Sequence, residues 1–108
     1  MSLGAADIDF ARDLFSEIPD LATRRMFGGL GIYCGDTIFA LMLSDGRLML
    51  KTQGGFAQRL AGDGAEQWTY TRKNGASAAM PYWTLPEAAM EDPEQALALA
   101  RDAIDALR

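Results

Sequence analysis

The stretch ATRRMFGGLGIYCGDTIFALMLSDGRLMLKT, residues 22–52, decides the fold. It divides into four short runs rich in aromatic and aliphatic side chains: residues 22–27, 30–34, 37–43 and 47–52. Gly28-Gly29, Gly35-Asp36 and Asp45-Gly46 separate them, and glycine beside a short polar residue is hairpin-turn chemistry. Runs this short, joined by turns this tight, read as an antiparallel meander. The run 37–43 is apolar on both faces, with Ile38, Ala40 and Met42 on one and Phe39, Leu41 and Leu43 on the other. Such a strand belongs in the middle of a sheet, where both faces are covered. The next run alternates: Leu48 and Leu50 share one face, Arg47, Met49 and Lys51 the other. One face of the sheet is therefore expected to be partly wet.

Helical periodicity takes over on either side. Ile8, Ala11, Leu14 with Phe15, and Ile18 recur at helical spacing, with Asp9, Asp13 and Glu17 on another face. Asp7 can cap this helix and Pro19 ends it after Ile18. Downstream, Gly54-Gly55 breaks the fourth strand and residues 56–61 suit a short helix closed by Gly62. Residues 68–72 and 80–84 read as a second strand pair around the polar loop 73–77. Leu85-Pro86-Glu87 opens another helical turn, with Thr84 as its expected cap and Glu87 three residues on. Asp92-Pro93 starts a last helix whose expected buried stripe is Leu97, Ala100, Ile104 and Leu107. The order α-βββ(β)-α-ββ-α implies a single two-layer α+β domain over residues 1–108, with helices on one face of an antiparallel sheet.

Composition narrows the chemistry. The 108 residues are 49 % hydrophobic and 23 % charged, an ordinary globular balance. No apolar run approaches the roughly 20 residues that span a bilayer, and no apolar stretch follows a basic start, so a cytoplasmic protein without membrane contact is expected. Cys34 is the single cysteine, which fits a reducing compartment. The chain has no histidine. That removes Ser–His and Cys–His nucleophile pairs and most zinc and iron sites. We expect no enzyme, no catalytic residues, no metal and no cofactor. The net charge of −5 is unevenly spread. Both ends are acidic, whereas the middle holds Arg24, Arg25, Arg47, Lys51, Arg59, Arg72 and Lys73 against four acids. Nucleic-acid binding needs clustered cations to release phosphate counterions, and the overall charge disfavours it.

Several residues admit both a functional and a structural reading. Arg24 and Arg25 beside Gly28 and Gly29 could form an anion or partner contact, the glycines exposing backbone N–H groups. The spacing matches neither a dinucleotide fingerprint nor a P-loop. The structural alternative gives Gly28 and Gly29 a tight turn and pairs one arginine with an acidic helix. Arg47 and Lys51, on the wet face, are further candidate partner contacts. Cys34, ending a strand, is expected to pack half-buried. Tyr33, Trp68, Tyr70, Tyr82 and Trp83 suit core packing more readily than a base-stacking platform, because the RNA-binding sheet motif is absent. Met26, Met42, Met49, Met80 and Met90 suit a core as well, although methionines on an exposed face would make an adaptable partner surface.

The string Arg24-Arg25-Met26-Phe27-Gly28-Gly29-Leu30-Gly31-Ile32-Tyr33 resembles the signature of the TfoX N-terminal domain family. Thr37-Ile38-Phe39-Ala40-Leu41, Leu48-Met49-Leu50-Lys51, Met80-Pro81-Tyr82-Trp83, Leu85-Pro86-Glu87 and Asp92-Pro93-Glu94 follow in the family's order. The resemblance runs from about Leu14 to Leu107; Met49 replaces the usual aromatic and Pro81 a more typical serine. It implies a two-layer fold similar to secretion-chaperone-like domains. It also implies a relation to bacterial competence regulators, in which this domain precedes a C-terminal domain. With the chain ending at Arg108, the N-terminal domain alone is expected. The resulting expectation is a non-enzymatic regulatory or protein-interaction domain acting through a sheet face or edge, with an unidentified protein partner. A direct nucleic-acid-binding regulator and a small-anion or metabolite binder using Arg24 and Arg25 are the alternatives. An exposed sheet edge or apolar face would also suit a homodimer.

Overall fold

The computed structural model describes residues 3–26 and 28–108; Phe27, which closes the first expected strand, lies outside them, as do Met1 and Ser2. In chain order the elements are α1 (Ala5–Leu14), β1 (Leu21–Met26), β2 (Gly29–Cys34), β3 (Thr37–Met42), β4 (Leu48–Lys51), α2 (Gly54–Gly62), β5 (Gln67–Thr71), β6 (Ser77–Thr84), α3 (Glu87–Met90) and α4 (Pro93–Ala106). The strands form one antiparallel sheet in the order β1-β2-β3-β4-β6-β5. The meander runs as far as β4. The chain then crosses through α2 to the far edge, and β6 returns to fill the gap beside β4. The α+β class, the central position of β3 and the element order follow the sequence reading.

Glycine sets two details of the meander. Gly28 has φ +76°, a conformation that side-chain-bearing residues rarely adopt. Gly29 is buried, and a Cβ there would collide with the Met42 carbonyl oxygen, so the close approach of β2 to β3 depends on its lacking one. A bulge follows where the pairing steps from Ile32–Ala40 to Tyr33–Ile38, leaving Phe39 unpaired. Its ring turns into the helical layer and meets Phe15 edge-on, centroids 5.4 Å apart at 86°.

All four helices contribute to the core on one face of the sheet. Ala11, Leu14, Phe15 and Ile18 of the N-terminal segment, Leu60 of α2, Ala89 of α3 and Ala96, Leu99, Ala100, Ala103 and Ile104 of α4 pack against Leu30, Ile32, Phe39, Ala40, Met42, Leu48 and Leu50. Small residues dominate the buried side of α4, letting it lie close to the sheet. The expected stripe is therefore rotated: Ala100 and Ile104 are buried, but Leu97 and Leu107 are only half-buried at its margin.

The helix ends also depart from expectation. α1 stops at Leu14 in irregular turns, before Pro19 can end it. Gly4 is its N-cap, and Asp7 reaches back from the first turn to accept from the Gly4 N–H at 3.0 Å. Gly54 and Gly55 open α2 rather than separating it from the strand. Thr84 caps no helix, because its hydroxyl accepts from the Glu66 N–H at 2.9 Å, tying β6 to the start of β5. Asp92 does cap α4, its Oδ1 accepting from the N–H groups of Glu94 and Gln95.

Candidate functional site: the open face of the sheet

The face away from the helices is not simply wet. Met49, expected to share a polar face with Arg47 and Lys51, is 2 % exposed. It belongs to a second cluster with Leu41 and Tyr82, flanked by Met26, Leu43, Trp68 and Met80. The correction comes from β6. Once that strand lies beside β4, Tyr82 and Trp68 cover the methionine, and their rings meet edge-on at 6.1 Å.

Above this cluster lies a concavity of about 460 Å³ lined by Met26, Leu41, Trp68, Tyr70, Met80 and Tyr82. Met26 comes from one edge strand and Trp68 and Tyr70 from the other, so the sheet curls until its two edges line one hollow. The volume falls within the range of small-molecule and side-chain pockets. Its walls are thioether and aromatic, surfaces that adapt to an apolar occupant at low conformational cost. Burial pushes the Tyr82 phenol above its ordinary range, and nearby Tyr33 adds to the effect.

The predicted contact residues separate around this hollow. Arg24 stands on the open face, its guanidinium carbon 5.9 Å from the centroid of the Tyr33 ring. Arg25, next along the strand, points to the opposite side, where its Nη1 donates to the Leu3 carbonyl at 3.2 Å. Alternation along β1 thus prevents the pair from acting as one clamp, and neither lines the concavity. Nor, among the described residues, does either take the helix acid expected of it; instead Arg12 of α1 donates to the Thr23 hydroxyl of β1. Gly28 and Gly29 serve the turn and the β2–β3 approach described above. Arg47 lies in the β3–β4 loop rather than in a strand, bound to Asp45 through Nε at 2.9 Å. The backbone N–H of Arg47 and then its guanidinium hold the Asp45 carboxyl below its usual range. Lys51 is half-buried at the end of β4, beside Tyr82 in register. Cys34 is half-buried against the main core, as expected.

Electrostatically the sheet is one-sided. Among the described residues no strand contains an aspartate or glutamate, and the strand charges are Arg24, Arg25 and Lys51. The acids lie in the loops and the helical layer. No group of His, Cys, Asp or Glu suited to a metal ion forms among the described residues. By sequence, Trp68, Tyr70, Met26 and Met80 are core candidates. Alternation within β5 carries the signal that Trp68 and Tyr70 share a face, as alternation within β6 does for Met80 and Tyr82. That they enclose a hollow with Met26 depends on the curl of the sheet.

A curled six-stranded antiparallel sheet, helices on one side and an apolar hollow on the other, defines an open-faced α+β domain. The TfoX N-terminal domain family model matches residues 13–107, nearly the whole chain, and the chain belongs to that family. No curated protein matches it.

Proposed function

We propose that this chain is a non-enzymatic regulatory domain, akin to those of competence regulators, that receives an apolar segment of a partner protein on its open sheet face. The observation that carries this reading is the concavity formed by Met26, Leu41, Trp68, Tyr70, Met80 and Tyr82. Charge sets the chemistry of the occupant. With no carboxylate on the strands, with Arg24 and Lys51 on the face and Arg47 already tied to Asp45 at its rim, an apolar segment flanked by acidic residues is the complementary partner. The same cations give the nucleic-acid alternative its only foothold, against a net charge of −5.

The test is affinity capture at low and high salt, comparing the native protein with Met26→Asp and Met80→Asp. Each substitution places a carboxylate in the hollow without touching the helical core. A protein partner retained at high salt, lost with either variant and weakened by Lys51→Glu or Arg47→Glu, supports the proposal. A partner indifferent to all four would overturn it. Recovery of nucleic acid alone, released as salt rises, would replace it with the nucleic-acid reading.

A further inference from the structure

The two edges of the sheet are protected very differently. β1 carries Arg24 and Arg25, and adjacent cations on an edge discourage pairing with another strand. β5, Gln-Trp-Thr-Tyr-Thr, has neither charge nor proline, is built from strong strand formers and is largely exposed. Natural sheets seldom leave such an edge unguarded unless something pairs with it.

Its backbone polarity can be worked out. The Arg72 N–H donates to the Ala76 carbonyl and the Glu66 carbonyl accepts from the Thr84 N–H, so both residues point their backbone groups toward β6. The irregularity between β5 and β6 places its extra residues on β6, around Pro81, leaving alternation along β5 intact. Gln67, Thr69 and Thr71 therefore direct their N–H and C=O groups outward.

We infer that β5 pairs antiparallel with β5 of a second copy, with Thr69 facing Thr69 across a two-fold axis, joining two sheets into one. In this register every outward backbone group of β5 is satisfied, because Gln67 pairs with Thr71 on either side of the axis. Shifting the axis to Trp68 or Tyr70 leaves part of the edge unmatched. The side chains agree with the backbone. Trp68 falls opposite Tyr70 of the second copy, and the reciprocal pair forms as well, covering a Tyr70 that is 53 % exposed in the single chain. Aromatic cross-strand pairs of this kind favour association. One step further out, Glu66 meets Arg72 of the second copy. Both are exposed and neither has an ion-pair partner among the described residues. The segment from Glu66 to Arg72 is thus self-complementary in charge, aromaticity and hydrogen bonding. This pairing needs nothing from a foreign partner, although Trp68 and Tyr70 then serve both the seam and the wall of the hollow.

Sedimentation velocity over a wide concentration series, on the native protein and four variants, tests it. Dimer formation is expected, with loss of dimer in Thr69→Pro. Because the Thr69 N–H faces away from β6, that variant should keep its far-ultraviolet circular dichroism and a cooperative urea transition. Glu66→Arg and Arg72→Glu singly should each weaken the dimer about tenfold at low salt, and the double exchange should restore it. In a Cys34→Ser background, Thr69→Cys should cross-link to a dimer on mild oxidation while Thr71→Cys should not. A monomer at every concentration would overturn the inference. So would a dimer unaffected by Thr69→Pro and by the charge exchanges.

Discussion

Thr52 is a buried residue whose hydroxyl does no visible work. It is 0 % exposed, and its Oγ1 finds no hydrogen-bond partner among the described residues, although its backbone N–H donates to the Pro81 carbonyl at 3.1 Å. A buried hydroxyl without a partner loses its hydration and regains nothing. Valine has the same shape, so Thr52→Val should stabilise the fold by about 1 kcal/mol, read as an increase in the urea midpoint at unchanged slope. A lower midpoint would mean that the hydroxyl is satisfied after all. Gly29 makes the opposite point at the same scale. Its sequence context announced a turn, and the structure uses it for strand-to-strand contact as well.

Among the elements, α4 shows how far local reading reaches. Asp92-Pro93-Glu94 announced its start, and the cap forms as that pattern requires. Replacing Asp92 by alanine should cost about 1 kcal/mol in chemical denaturation, with asparagine recovering most of it. An alanine variant as stable as the native protein would show that the cap contributes nothing. Which face of α4 is buried was harder to see. Leucines mark an apolar stripe in any sequence, but the alanines decide how close a helix can approach a sheet. The strands divide in the same way. β3 was legible as central because both its faces are apolar. β4 reads as half-polar because Met49 alternates with Arg47 and Lys51 on one face, and only the arrival of β6 with Tyr82 buries it.

For the whole molecule, curl and charge separation matter most. Curl buries Tyr82 on a face that a flat sheet would leave in water, and that burial raises its phenol above the ordinary value of 10.0. A folded state that holds its proton longer than the unfolded chain keeps its full stability below the unfolded tyrosine pKa. That stability is lost as pH rises through the folded value. Denaturation midpoints should therefore fall above about pH 10, and Tyr82→Phe should flatten the decline. An unchanged slope in that variant would assign the alkaline loss to other groups. Charge separation leaves the helical layer acidic and the strands free of carboxylates, which shapes what the open face can accept. No helix among the described residues is long and apolar enough to cross a membrane.

By itself the sequence determined the α+β class, the order of elements, the turn positions, the central strand and the family, because each is encoded in local periodicity, turn chemistry and motif. It could also show that Arg24 and Arg25, as neighbours, would fall on opposite faces if their segment were a strand. Only the tertiary structure decided that β6 inserts beside β4, that the sheet curls and that residues from its opposite edges enclose one apolar hollow. Those features depend on which distant strands pair and how their twists add up. Such contacts join segments far apart in the chain, and no local pattern records them.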